Sequence, residues 1–488
     1  MLRATTPRSC HVAIVLMILA SACAFLPAVS VAAEAFGTPL RPFSAQSPWN
    51  ARPVAPVFGD FEIPRSAYYP TLAEGKWSTG VFIASAGDKS VTVLGPLDKP
   101  GVWDPDSEVT HESIVIPRWP ADVVPAEGTD GHADIVDPIT GIIHSLFKLK
   151  RVDGQWRALQ YAWTRLDGRG WGEPGHYFQG ARASAVPTMG GLIRTHEVND
   201  GDSVYRHALA MSLTFNGLSP SPAYVFPATS ADGGAEKTNS GQIPEGALMM
   251  LPPEYDTASI KEPKLRKVAE TLKLFGAYVV DRNVGTPFVI YVENGTQLNV
   301  HGGKWNSEVA RELDRMRSGL RQVVAVNGWI DGNGRALTQL DQQLNLLSMR
   351  GPWRLVKGDG PLGDFQTWQQ AVVFPPGGSV THQINTSGRT LHTIAWARPQ
   401  PGDRYLLTAR AEGGGSLRLQ LYDAGGQSLL YDSGELADGQ SAEFAWPKGQ
   451  RAVAVTVRGG GRATACVVGG SLRPLVMPAP AMPHRPDR

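Results

Sequence analysis

The chain has 488 residues, which is too long for one ordinary domain and predicts two or three. Its 46 Lys and Arg residues nearly balance 45 Asp and Glu residues, which argues against nucleic acid as a partner. The 54 glycines and 38 prolines, with only 19% charged residues, are typical of a turn-rich β protein and exclude a mainly helical or disordered one.

The N-terminus has the pattern of a secretory signal peptide. Arg3 and Arg8 precede an apolar run that ends in small residues at 31–33, so we predict a signal peptide over 1–33, cleaved after Ala33. A lipoprotein signal at Cys23 is the alternative, but the preceding leucine stands one position too far from it. Only Cys466 would remain after cleavage, which excludes an internal disulfide. No later stretch is long and apolar enough to span a bilayer, so we expect a secreted or periplasmic protein.

Residues 34–250 carry the pattern of a β-rich main domain, antiparallel and sandwich-like or jelly-roll-like. A proline-rich segment over 36–70 is expected to wrap over the core as extended chain. Short apolar runs separated by glycine and aspartate turns then predict strands. These predicted strands are 80–84, 91–94, 112–116, 133–136, 142–147, 155–164, 191–194, 205–215 and 223–226.

Two further regions follow along the chain. Residues 251–357 predict a small α+β appendage packed on the main domain, with helices at 258–275 and 306–324, the second capped by Asn306 or Ser307. Residues 358–475 have strand-like runs at the spacing of a C-terminal β-sandwich, an accessory domain. The composition of 476–488 predicts a disordered tail.

The stretch 180–209 concentrates titratable side chains among glycines and alanines, which let backbones approach closely. Arginine offers a fixed fork of donors to a carboxylate, and histidine carries a proton near neutral pH. The simpler interpretation is that these polar groups only satisfy one another. The candidates in this stretch are Arg182, Arg194, Glu197 and His207.

Other candidates lie outside that stretch. His132 and Asp134 alternate along a predicted strand and therefore share one face. A glycine-rich loop over 228–237 carries Asp232 toward a rim. Aromatic side chains with flat faces for sugar rings are Trp49, Trp163, Trp171 and Tyr177.

A metal site is left open by the sequence. His132 and Asp134, joined by His207 or His196, have the chemistry to bind a divalent cation, although no HExxH motif, cysteine pair or EF-hand loop is present. No cofactor is indicated with certainty. The chain also lacks a G-x-S-x-G motif and a phosphate-binding loop.

Short motifs occur in order over roughly residues 40–290. They are Phe43-Ser44 with SPWN (47–50), GH (131–132) with DPITG (137–141), RAS (182–184), GLIR (191–194) with Glu197, HAL (207–209), Tyr224 with PA (227–228), DG (232–233), IPEG (243–246) and the run 274–281 ending in GAYVVD. Together these motifs resemble those of a family of secreted bacterial proteins, mostly without an assigned activity. One departure is at 143–147, where the family often has an aromatic–acid–aromatic run and this chain has IHSLF. The resemblance implies a secreted, carbohydrate-directed protein and transfers no catalytic residue.

These observations favour a secreted enzyme that cleaves a polysaccharide, and an acidic polysaccharide over a neutral one. For the reaction, they favour β-elimination over hydrolysis. Elimination needs a cation for the uronate carboxylate and a base for the C5 proton, roles suited to Arg194 or Arg182 and to His207 or His132, with Tyr177 as acid. The first alternative is a glycoside hydrolase that pairs Glu197 with Asp232 or Asp134. The others are a non-catalytic glycan-binding or cell-envelope protein and a structural exported protein. The oligomeric state is not indicated.

Overall fold

The computed structural model describes Met1 and residues 35–73, 75–340, 344–391 and 394–475. The predicted signal peptide (1–33) and the predicted tail (476–488) lie outside the described residues. The chain is mainly β, which confirms the predicted fold class.

Twenty strands, most of them short, lie between residues 52 and 337. In chain order they are β1 (Arg52–Val54), β2 (Val57–Phe58), β3 (Thr71–Ala73), β4 (Gly80–Ile83), β5 (Val91–Leu94), β6 (Val102–Asp104), β7 (Val109–His111), β8 (Ser113–Ile116), β9 (Ala133–Asp137), β10 (Ile142–Phe147), β11 (Lys150–Val152), β12 (Gln155–Arg157), β13 (Gln160–Arg165), β14 (Leu209–Thr214), β15 (Leu248–Met250), β16 (Ala277–Asn283), β17 (Phe288–Tyr291), β18 (Arg321–Ala325), β19 (Gly328–Ile330) and β20 (Ala336–Leu337).

Three helices interrupt these strands: α1 (Ala235–Thr238), α2 (Pro263–Leu274) and α3 (Ser307–Gly319). Helix α3 begins after Asn306, whose side chain accepts the backbone N–H groups of Glu308 and Val309, as its predicted capping role requires. Helix α2 begins at a proline rather than at the predicted residue 258, and Glu262 caps it. None of the helices described is long and apolar enough to cross a membrane.

The strands between 52 and 337 form four sheets. A seven-stranded mixed sheet has the order β2-β18-β15-β16-β14-β17-β3, so strands on both sides of residue 250 alternate within it. A six-stranded sheet has the order β4-β9-β10-β13-β6-β7, a four-stranded sheet the order β11-β12-β5-β8, and a small sheet the order β1-β19-β20.

Side chains that alternate between the two faces of a strand pack these sheets against one another in layers. In β16, Ala277 and Val279 pack with the apolar faces of α2 and α3, whereas Tyr278 and Val280 pack on the other side with residues of the six-stranded sheet such as Val136. The opposite face of the six-stranded sheet packs against the four-stranded sheet. The order is therefore helices, seven-stranded sheet, six-stranded sheet, four-stranded sheet, and the site described below lies where the second and third layers meet.

Ten strands between residues 354 and 474 form two antiparallel five-stranded sheets around one apolar core, a β-sandwich. Their orders are β21-β24-β29-β26-β27 and β22-β23-β30-β25-β28. The strands are β21 (Arg354–Gly358), β22 (Asp364–Gln366), β23 (Ala371–Phe374), β24 (Gly377–Asn385), β25 (Arg404–Glu412), β26 (Ser416–Tyr422), β27 (Leu429–Asp432), β28 (Ser441–Ala445), β29 (Ala452–Arg462) and β30 (Cys466–Pro474).

Buried polar contacts join this sandwich to the six-stranded sheet. The indole N–H of Trp163 donates to the Thr367 hydroxyl at 3.0 Å. Around Asp106, the Arg350 guanidinium donates to the backbone carbonyl at 2.9 Å and the Gln370 amide donates to the carboxylate at 2.5 Å.

Candidate functional site

The ten residues singled out in the sequence fall into three groups in the structure. Arg194, Glu197, His207, Trp49 and Trp171 lie at or beside one small pocket. Arg182 pairs with Asp281, Asp232 accepts the same backbone N–H as Asp281, and His132 lies close enough to Arg182 for that charge to lower its pKa. Tyr177 and Trp163 lie at the contact with the C-terminal sandwich.

His207 forms a closed ion pair with Glu197. Its Nε2 is 3.1 Å from a Glu197 oxygen, and its Nδ1 is 2.9 Å from the carbonyl oxygen of Ala208. Burial lowers the pKa of His207, but the Glu197 carboxylate and the Ala208 carbonyl outweigh burial and raise it. Burial raises the pKa of Glu197, and the His207 charge outweighs this effect and lowers it. Both ring nitrogens therefore face acceptors, and His207 is held as an imidazolium.

Arg194 and Glu197 are also engaged by the surrounding backbone and side chains. The Arg194 Nε lies 3.0 Å from the Glu293 carboxylate, and the Arg194 backbone N–H donates to Glu197 at 2.9 Å. Trp49 is 1% exposed and stacks on the fully buried Trp171, with ring centroids 4.7 Å apart. The pocket that this group lines has a volume of about 50 Å³, which admits water but no sugar ring.

The second group centres on Asp281, in β16, and on Arg182. The Arg182 Nη1 lies 3.0 Å from the Asp281 carboxylate and also donates to the Trp77 carbonyl at 3.0 Å. The Arg182 guanidinium carbon sits 3.8 Å from the centroid of the Tyr291 ring. Only 2% of the Arg182 side chain is exposed, so this cation is fixed in place by three partners.

Asp281 and Asp232 form a close carboxylate pair. The backbone N–H of Arg282 donates to Asp281 Oδ1 at 3.0 Å and to Asp232 Oδ2 at 2.9 Å, so these two oxygens are at most 5.9 Å apart, the sum of the two distances. The Asp232 backbone N–H in turn donates to Glu245 at 3.0 Å, which fixes the glycine-rich loop. The Asp281 and Asp232 side chains are 18% and 26% exposed, so both are partly open to solvent.

The surroundings raise the pKa values of the two acids Asp281 and Glu245 and lower the pKa of His132. Burial raises the pKa of Asp281 to about 6 against the opposing charge of Arg182, and the Asp232 carboxylate adds to the rise. Burial and the Asp232 carboxylate raise the pKa of Glu245 well above its usual value, which favours its protonated form. Burial and the Arg182 charge lower the pKa of His132 well below its usual value, so His132 is neutral.

Four buried polar atoms near this pair have no hydrogen-bond partner among the described residues. They are Nη2 of Arg182, Nδ1 of His132, Oγ of Ser184 and Oε2 of Glu245. Buried donors and acceptors are nearly always satisfied in folded proteins, so such a group indicates a place where a ligand or water binds. Within the described part of the chain, no three His, Cys, Asp or Glu side chains are arranged to hold a metal ion.

The third group is packed inside the protein. Trp163 is 4% exposed and lies 4.3 Å from the His176 ring. The Arg350 guanidinium lies 5.3 Å from the centroid of the Tyr177 ring. Burial, followed by the hydrogen bond with Tyr224, raises the pKa of Tyr177.

Sequence reasoning did not single out Asp281 and Glu245. Both lie in motifs that the sequence displays, Asp281 at the end of GAYVVD and Glu245 within IPEG. For Asp281 the available signal was an acidic residue directly after the apolar run 277–280, at the point where β16 changes from buried to half-buried.

No family model matches the chain, and no curated protein matches it. Solved structures resemble parts of it. The enzymatically active domain of tailspike protein 4 from bacteriophage CBA120 is 11% identical over 27% of this chain and 22% of that chain, with a TM-score of 0.19. TmCBM61, solved in complex with β-1,4-galactotriose, is 17% identical over 26% of this chain and 90% of that chain, with a TM-score of 0.16. The C-terminal family 22 carbohydrate binding module of Clostridium thermocellum Xyn10B is 11% identical over 28% of this chain and 96% of that chain, also with a TM-score of 0.16.

Proposed function

We propose that the protein is an exported, carbohydrate-directed enzyme of the secreted bacterial family that its motifs resemble, and that it hydrolyses a glycosidic bond with Asp281 and Asp232. The observation that carries this proposal is the carboxylate pair itself. Its oxygens are at most 5.9 Å apart, both side chains reach solvent, and the pKa of Asp281 is raised to about 6. Glycosidases need this combination of one carboxylic acid and one carboxylate flanking the scissile bond.

The short separation favours the retaining mechanism, for which carboxyl groups roughly 5–5.5 Å apart are typical. Protonated Asp281 gives its proton to the glycosidic oxygen while an Asp232 oxygen attacks the anomeric carbon, and the bond to the leaving sugar breaks. Asp281 then takes a proton from water, whose oxygen attacks the same carbon and releases Asp232. Asp281 is left protonated, and the net reaction consumes one water.

The neighbours of the pair act by positioning it. Arg182 orients Asp281 and keeps its pKa from rising further, so that the proton can leave. Glu245 accepts the Asp232 N–H and holds the loop that brings Asp232 to Asp281. A residue in either role acts through the pair and not on the substrate.

A second candidate, β-elimination of a uronate polymer, is favoured by one observation. Neutral His132 has an unpartnered Nδ1, and the nearby Arg182 has an unpartnered Nη2, among the described residues. These groups would supply the base for the C5 proton and the cation for the sugar carboxylate. Because Arg182 and His132 are only 3% and 2% exposed, hydrolysis by the more open carboxylate pair is the better-supported function.

The test is a product screen of the purified chain on acidic and neutral polysaccharides, with and without a chelator. Reducing ends and the absorbance of unsaturated uronates are measured together. For hydrolysis we expect reducing ends alone, and a loss of roughly 100-fold or more in Asp281→Asn and Asp232→Asn. Asp167→Asn, an acid that is 59% exposed and paired with Arg165, is the matched control with full activity.

Other outcomes decide between the alternatives. Unsaturated products that disappear in His132→Gln would establish elimination and refute hydrolysis. Saturable binding without any product across the panel would mean a glycan-binding protein. Full activity in both aspartate variants would remove the pair from the mechanism.

A further inference from the structure

A large open cleft lies away from the small pocket described above, between helix α3 and the extended segment 62–69. Its volume is about 920 Å³, which is ample for a sugar unit. Helix α3 supplies one wall through successive turns, and the extended segment supplies the other. The lining residues are Glu62, Pro64, Arg65, Tyr69, Arg311, Asp314, Arg315, Arg317 and Ser318.

The cleft carries an excess of positive charge, because four arginines line it against two carboxylates. Arg317 is buried and neutralised by Glu62 and Asp314. Arg65 also contacts Asp314 at 2.6 Å, but 77% of its side chain remains exposed. Arg311 is exposed and forms no ion pair with any described carboxylate. Arg311 is therefore the lining guanidinium most available to an anion from solvent, whereas the Nε and Nη2 of Arg65 already donate to Asp314.

An exposed aromatic platform adjoins these arginines. Trp305 is 63% exposed, and its ring stacks on that of His301, with centroids 4.9 Å apart and planes inclined by 16°. The His301 ring is itself fixed, because its Nδ1 accepts the Asn306 backbone N–H at 3.2 Å. Tyr69, which lines the cleft and is 50% exposed, meets Trp305 edge to face at 5.6 Å. Rigid, exposed aromatic rings of this kind mark an interaction surface.

We propose that this cleft is a non-catalytic binding site for a carboxylate-bearing polysaccharide. The apolar face of a sugar ring would stack on Trp305 and Tyr69, and a uronate carboxylate would accept the donor fork of Arg311. Single-stranded nucleic acid also uses stacking and arginines. The nearly neutral chain and the local excess of only two charges favour the polyuronate.

The cleft and the carboxylate pair are connected through one turn. The Tyr68 backbone N–H donates to the Gly285 carbonyl at 2.9 Å, and Gly285 follows Asp281 by four residues. Four residues span at most about 15 Å, so one polymer chain is long enough to contact both places. The binding site does not require that Asp281 and Asp232 be catalytic.

Affinity electrophoresis and calorimetry with polygalacturonate and with dextran test the proposal. We expect wild-type protein to bind polygalacturonate, more weakly at high salt, and not to bind dextran. Trp305→Ala and Arg311→Gln should each weaken binding about tenfold. The matched controls Trp103→Ala, an indole 37% exposed elsewhere, and Arg165→Gln should bind as wild type.

An Asp281→Asn variant separates this inference from the proposed function, because it should lose turnover and keep polygalacturonate binding. Three results would overturn the inference: no binding of polygalacturonate by wild type, unchanged affinity in both Trp305→Ala and Arg311→Gln, or tighter binding of a single-stranded oligonucleotide than of polygalacturonate.

Discussion

Replacing Arg182 by methionine tests the electrostatics of the carboxylate pair most directly. Methionine keeps an unbranched apolar stem but removes the cation 3.0 Å from Asp281. Breaking a buried ion pair costs about 3–5 kcal/mol because it leaves an uncompensated buried charge. Asp281 can escape part of that cost by taking up a proton, so we expect a loss of about 3 kcal/mol at pH 8.

The loss should shrink at low pH. The native state holds a proton on Asp281 up to about pH 6, whereas the unfolded carboxyl has its ordinary pKa of 3.8. The contribution of Asp281 to the free energy of unfolding therefore falls as pH rises from about 4 to 6. Without Arg182 the pKa of Asp281 rises further and this fall continues to higher pH, so the deficit of the variant is larger at pH 8 than at pH 5.

Urea unfolding followed by tryptophan fluorescence at pH 5 and pH 8 measures both effects. Arg165→Met is the matched control, because Arg165 also pairs with an aspartate but both side chains are more than half exposed. Such surface pairs contribute about 0–1 kcal/mol. An equal deficit at the two pH values, or a deficit no larger than that of Arg165→Met, would refute the assignment of Arg182 as the buried counter-ion of Asp281.

Three further predictions use other parts of the structure. His207→Ala should cost about 3 kcal/mol in urea unfolding at pH 7 and spare turnover. The His207–Glu197 ion pair should stabilise the folded protein at pH values between the lowered pKa of Glu197 and the raised pKa of His207. Its contribution is lost below that range, where Glu197 is protonated, and above it, where His207 is neutral. Lost turnover with intact stability would instead make His207 catalytic. Glu245→Gln should change the free energy of unfolding by less than about 1 kcal/mol, because the raised pKa of Glu245 favours its neutral form and glutamine keeps an acceptor oxygen. Glu245→Ala removes the acceptor of the Asp232 N–H and should cost more, and equal effects of the two substitutions would contradict this. Trp49→Ala should lower the free energy of unfolding by about 3–5 kcal/mol in thermal or urea unfolding and leave saccharide affinity unchanged, because Trp49 is a buried core residue. Wild-type stability with weakened saccharide binding would instead show that Trp49 contacts the ligand.

Local patterns predicted most of the strands and helices because period and capping are local properties. The alternation in β25 buries Tyr405, Leu407 and Ala409, and Asn306 caps α3. Pairing between distant strands decided the exceptions. Residues 155–164 were predicted as one strand, but the chain changes partners within them and supplies β12 and β13 to different sheets. The predicted helix 306–324 ends at Gly319 because residues from 321 onward pair with β15.

The candidate site was predicted in part. His132, Arg182 and Asp232 were identified by residue type, and the structure places Arg182 and Asp232 at Asp281 and His132 near Arg182. Their convergence depends on the layering of two sheets and on the register of β16, which no local pattern encodes. The same limit applies to His207. The sequence around it allowed an unpaired imidazole that could act as a general base, and only the folded chain shows that Glu197 and Ala208 engage both ring nitrogens.

The polar contacts around Asp106 and Thr367 bear on how the protein can be dissected. A cut before residue 358 would leave the Trp163 indole N–H without its acceptor and the Asp106 carboxylate without the Gln370 amide. Both groups are buried in the intact protein. The same cut removes Trp368, which packs on the apolar cluster containing Tyr161 and Trp163, and apolar surface exposed in this way makes a fragment prone to aggregate. Expression and crystallisation work should therefore treat the sandwich and the sheets before it as one object to be produced whole.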